Sequence, residues 1–334
     1  MALLVQMTLL VAYLASIAVR TLVRGRNVIP FEVVQTIAAL AVGLGGAIAV
    51  TRATGAGTMT LGVANLIVGA ACYAVAVAFL DRRQDRGRNV YFYTTLGLVL
   101  VLVGSDLLLP DFARDLTFAA LAVITCALWG RGGRLFLLLH GAAYILAAGI
   151  VSGAVGYAVW AFIGSSAGAW APPGLGVPVV AAAGLLAAWL ASADTREGPH
   201  PHARWPRLMI ILVAVAATGA VAVGFLAPAV AGAPSGPVDP GVLATLRTVV
   251  LAVAALAVAW IGRHAGFGEW AWLVYPLLVL TGLKMVAQDF MQSRPSTMFV
   301  ALALYGIALI VAPRLRRTSA EGPNPPRAGA DAAT

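Results

Sequence analysis

The sequence predicts an all-α protein, a polytopic bundle of about eleven transmembrane helices, and three features predict it. Of its 334 residues 61% are hydrophobic and only 10% charged, whereas a soluble domain carries roughly 25% charged residues. So much apolar surface exceeds what a single soluble core of this length can hide. The apolar residues also fall in long runs, many close to the roughly 20 residues that a helix needs to cross about 30 Å of hydrocarbon. Finally, the net charge of +9 is spread as small arginine groups between those runs. A nucleic-acid-binding protein would gather such charge into a basic stripe, so no nucleic acid is expected as a partner.

In chain order the runs lie near 2–19, 29–51, 58–80, 90–109, 116–130, 135–154, 177–193, 208–231, 242–262, 270–288 and 297–313. The first carries no arginine or lysine before Leu3 and is followed by Arg20, Arg24 and Arg26. A secretory signal has the reverse polarity, so this run is expected to stay as a span with its N-terminus outside. The fourth opens on Tyr91 and Tyr93, the fifth closes on Trp129, and the tenth opens on Trp270 and Trp272, as befits rings that favour the headgroup region. The fifth, seventh and eleventh runs are short, which tilt and local thinning of the bilayer absorb. The stretch Ala154 to Gly164, with Tyr157, Trp160 and Phe162, either extends the sixth helix or lies at the interface, so the expected count ranges from ten to twelve.

Loop charge gives the orientation, because arginines in short loops are retained on the cytoplasmic side. With the N-terminus outside, the inner segments hold seventeen cations and the outer loops three, namely Arg52, Arg114 and Arg294, while Arg247 and Lys284 fall within spans. An error in the helix count would invert the alternation beyond it. The expected organisation is one membrane domain over 1–313 and a disordered basic cytoplasmic tail over 314–334, rich in Pro, Ala and Gly after its arginines. The expected location is the cytoplasmic (inner) membrane of a bacterium, with lipids and other membrane proteins as partners.

Recognisable chemistry is sparse. No P-loop, nucleophile elbow or zinc-protease motif is present, and no cofactor is expected. Cys72 and Cys126 read as buried small hydrophobes. His200 and His202 lack further ligands at metal-binding spacing, and His264 stands beside Arg263 in a loop, so no metal site is expected. Glycine runs such as Gly43, Gly45, Gly46 and Gly149, Gly153 resemble surfaces that let helices approach closely.

The sharpest signals are polar residues inside spans, since an ionisable group at the centre of a membrane helix costs about 2.5–3.5 kcal/mol even on insertion scales. Asp106, Arg247, Lys284, Gln288 and Asp289 are all expected at similar depth on the outer side. Two readings compete: the long cations snorkel to the interface and Asp106 pairs with the nearest, or the group lines a polar pocket that binds a solute or relays protons. Glu32, Gln35 and His140 form a second rank on the cytoplasmic side. Glu32 follows Pro30 and suits the first turn of a helix, and His140 suits helix packing. A faint repeat relates Gly104, Asp106, Asp111 and Phe112 to Gly282, Lys284, Asp289 and Phe290 at a constant offset, implying parallel five-helix halves on either side of the sixth helix.

The closing hairpin, with Tyr275-Pro276, Lys284, Asp289, Arg294-Pro295, Tyr305-Gly306 and Pro313-Arg314, resembles the last segment of uncharacterised multi-span bacterial inner-membrane proteins. The opening of the fourth helix, Arg88-Asn89-Val90-Tyr91-Phe92-Tyr93, resembles them too. The resemblance implies a fold and carries no activity. The expected function is a permease for a small or amphipathic solute; the alternatives are a non-catalytic membrane scaffold or assembly factor and, ranked third, an enzyme acting on lipid-linked substrates.

Overall fold

The structure is a computed structural model that describes residues 2–80, 87–164, 170–192, 201–232, 239–264, 267–292 and 294–317. All regular structure among them is helical. The helices are α1 (Ala2–Ala18), α2 (Pro30–Thr54), α3 (Thr58–Ala78), α4 (Gly87–Leu108), α5 (Asp111–Gly132), α6 (Leu135–Val151) and α7 (Ala154–Ile163). They continue with α8 (Gly176–Ser192), α9 (Arg204–Ala231), α10 (Pro240–Ile261), α11 (Trp270–Asp289) and α12 (Pro295–Arg317). Proline opens α2, α10 and α12, where its missing N–H costs nothing and its fixed φ suits the first turn.

Eight of these helices are long and apolar enough to cross a membrane, and nine if the bent pair α6 and α7 counts as one span. α1 and α8 occupy predicted runs but are shorter. Large apolar side chains face outward, among them Val34 at 64%, Met59 at 74%, Phe299 at 73% and Met291 at 82% exposure. That is the surface of a protein whose solvent is lipid.

The stretch whose place the sequence left open has a definite form. α6 ends at Val151, Gly153 adopts φ +73°, and α7 departs at 65° to α6. Without a Cβ, Gly153 takes this left-handed turn at no steric cost. α7 has 10 residues and is therefore about 15 Å long, too short to cross a bilayer alone. At the other end of the chain, α12 continues to Arg317, beyond residue 314 where the tail was expected to begin; residues 318–334 lie outside the described residues.

The chain divides into two compact units, Met1–Thr117 and Phe118–Thr334. In the first, α3 and α4 pack through paired glycines. A Cβ on Gly104 would lie 2.9 Å from the Gly62 carbonyl oxygen, and one on Gly97 would lie 3.0 Å from that of Gly69. Both pairs are seven residues apart along their helices, so one glycine face of each helix meets the other, as small residues allow where lipid supplies no hydrophobic drive. Of the glycines singled out in the sequence, Gly45 is looser: a Cβ there meets open space. In the second unit α9 packs on α6, α7, α8 and α10, and α10 packs in turn on α11 and α12.

Candidate functional site

α7 stops within the second unit, and the carbonyls of its last turn need partners. The last turn of any helix leaves such groups unpaired. Arg247 of α10 fills this role, its Nε donating to Ala161 O (2.6 Å) and its Nη2 to Trp160 O (3.4 Å). The Gln288 side-chain amide of α11 donates to Ile163 O (2.7 Å). A cation at a helix C-terminus also matches the negative end of the macrodipole. Arg247 is 1% exposed, so its guanidinium belongs wholly to this cap.

Beside it lies an ion pair made by local backbone geometry. Lys284 and Asp289 are five residues apart, which in an α-helix at 3.6 residues per turn places them about 140° apart around the axis. Here Met285–Asp289 forms a π-helical turn, whose wider i→i+5 winding returns Asp289 to the face of Lys284. Nζ of Lys284 donates to Asp289 Oδ1, to Ala244 O and to Thr248 Oγ1 (2.8 Å), and the Thr248 hydroxyl donates to Asp289 Oδ2 (2.6 Å). All three ammonium protons and both carboxylate oxygens are thus engaged. The side chains of Lys284 and Asp289 are 3% and 0% exposed. Snorkelling cations do not look like this, and neither does an open polar pocket.

Next to α7 the chain folds back. Trp160 packs on Trp170 with ring centroids 4.5 Å apart, the Trp170 indole donates to Gly224 O (3.0 Å), and Tyr157 donates to Ala171 O (3.1 Å). At the start of α10, Asp239 accepts from Gly241 N (2.9 Å) and Val242 N (3.1 Å) and pairs with Arg294 (3.1 Å). The Val242 N–H, followed by Arg294 and the Gly241 N–H, holds its carboxyl below the usual range against some desolvation.

The remaining predicted residues have their partners elsewhere. In the first unit Asp106 accepts from Arg114 (2.9 Å) and faces Arg52 (3.7 Å), while Arg114 also holds Asp111 (3.1 Å). Glu32 caps α2 by accepting from Ile29 N (3.0 Å) and pairs with Arg20, the capping use expected of an acid at that position. Gln35 accepts from Tyr13 (3.4 Å). In the second unit His140 is buried, with Nδ1 against the Phe136 carbonyl one turn back and its ring edge-on to Phe136. Cys72 and Cys126 are free and buried. His202 is exposed, and His200 lies outside the described residues.

Sequence reasoning missed two participants. Thr248 bridges the ion pair, and its signal was its place next to Arg247, one helical turn after Ala244. Asp115, which drew no notice in the sequence, is 6% exposed, and its Oδ1 has no hydrogen-bond partner among the described residues. The offset repeat places Asp106 and Lys284 in different local arrangements, one paired eight residues on and the other five. No protein-family model, no curated protein and no solved structure matches this chain.

Proposed function

We propose that this chain is a permease for a small or amphipathic solute, with the Arg247, Lys284 and Asp289 cluster as its gate. The observation that carries this is the end of α7, a half-helix stopping on buried charges. Broken helices whose ends meet ions or substrate are a recurring device of transporters, because irregular backbone at membrane depth is tolerated only where protein or a cavity receives it. In this reading the closed cap is the occluded state, and a passing solute or proton competes for Arg247 and for the Lys284–Asp289 pair. The reading also takes the chain to have eleven spans, α6 and α7 forming one, with the N-terminus outside and the C-terminus in the cytoplasm of a bacterium. The seventeen-to-three division of cations supports that orientation, and the likeness of its closing hairpin to multi-span inner-membrane proteins agrees with it.

The test is flux in proteoliposomes across a panel of ions, acids, amines and amphiphiles, comparing the wild type with the Lys284→Met, Asp289→Leu double variant. Replacing both partners of a buried pair by apolar groups is often neutral for folding, so the variant isolates transport. The expected result is flux in the wild type and its loss in the variant. Equal flux for every member of the panel removes the permease reading. The scaffold reading then takes its place, favoured by the full pairing of this cluster and by the glycine-packed α3 and α4. It predicts a partner that co-purifies.

A further inference from the structure

In the first unit a groove of about 720 Å³ runs between α2 and α4. Its walls are apolar, with Val33, Ile37 and Leu40 on one side and Thr95 and Val99 on the other, and Arg88 lies at one end. From Arg88 to Val99 a helix rises about 16 Å, close to half the roughly 30 Å hydrocarbon thickness. The groove is therefore as long as one leaflet is deep.

The charged end is built. Asn89, fully buried, accepts from Val28 N (2.8 Å) and donates to Arg26 O (3.1 Å). This ties the segment before α2 to the first turn of α4 and sets Arg26 and Arg88, both exposed, at the same end. Glu32, the acid in the adjacent turn of α2, is already taken by Arg20 and by its own cap. Among the described residues, no acid thus pairs with the guanidinium charge where the apolar walls begin.

We propose that this groove binds one acyl chain of an anionic glycerophospholipid, with Arg88 receiving the phosphate. The site rests on the membrane reading of the chain and is independent of solute transport. Loop charge assigns this end to the cytoplasmic side, where anionic headgroups concentrate and basic sites between helices select them. A neutral lipid fills the same walls but leaves the guanidinium with a weaker partner.

The experiment uses the full chain, purified from the membrane fraction and delipidated in neutral detergent. Phosphatidylglycerol, phosphatidylcholine with the same chains, and inorganic phosphate are each titrated and the bound species read by native mass spectrometry. The expected result is one phosphatidylglycerol retained in preference to phosphatidylcholine, with Arg88→Gln weakening it about fivefold, the value of one basic contact at an anionic surface. Val34→Trp, at a position 64% exposed, fills the groove without entering the core and abolishes retention; Ile37→Trp, at 61%, repeats the test if the first variant fails to fold. Equal retention of the two lipids, unchanged retention in a folded groove-filling variant, or displacement by inorganic phosphate each overturn the site. Recovery without detergent in the soluble fraction breaks the membrane reading instead, and absence of flux with lipid selection intact breaks only the permease reading.

Discussion

Two charged clusters, one in each unit, hold their ionisable groups in opposite ways. In the first, Asp106 is 37% exposed at the end of α4 and shares two arginines, one of them 70% exposed. In the second, Lys284 and Asp289 are 3% and 0% exposed and exhaust each other's hydrogen-bonding capacity together with Thr248. A pair open to solvent or headgroups gives up little hydration and gains little, about 0–1 kcal/mol. A pair shut away from water has given up its hydration completely, so each partner depends on the other. Charge of the same kind is thus a surface feature at Asp106 and a constraint on the interior at Lys284 and Asp289.

The largest expected effect comes from breaking the buried pair on one side only. Asp289→Ala leaves the Lys284 ammonium buried against Thr248 and Ala244, and is expected to cost about 3–5 kcal/mol, read as a lowered melting temperature in detergent. Pairing it with Lys284→Met should restore most of that loss; if the double variant melts as low as the single, the charge was not the cause. Next in size is Arg247→Met, which strips the Ala161 carbonyl of its donor at about 1–3 kcal/mol, while the Trp160 carbonyl keeps the Gly164 N–H. Its expected signature is local: faster amide hydrogen exchange over 154–163 with the first unit unchanged. Protection that stays intact across α7 would mean that Gln288 suffices as a cap. The smallest effect belongs to Asp106→Asn, expected to shift stability by about 1 kcal/mol or less, and by less still at high salt. A loss as large as that of Asp289→Ala would erase the distinction between the two clusters.

Much of the architecture was legible because lipid imposes a simple rule on sequence. A span must be long and apolar, and α2 to α5 and α9 to α12 announce themselves by that rule alone. The rare polar residues were legible too, since Arg247, Lys284, Gln288 and Asp289 interrupt otherwise apolar helices. How they are used was not. The expected choices were snorkelling cations with an ion pair, or a pocket; in the structure Lys284 pairs with Asp289, three of the group are buried, and Arg247 and Gln288 close the end of a half-helix. Nothing in a linear run of apolar residues marks Gly153 as a 65° bend rather than a glycine inside a span.

The sequence by itself determined that this is a helical chain with an apolar exterior, where most of its long apolar helices lie, and which few ionisable groups need a partner. These follow from the cost of burying polar groups, which acts on each segment alone. Only the tertiary structure decided the partners. Lys284 meets Asp289 because a π-helical turn rewinds α11 by one residue, and Arg247 meets Ala161 because α9 and α10 hold the end of α7 within reach. Contacts between residues 86 positions apart depend on how helices pack, and packing is a property of the assembled faces rather than of any one of them.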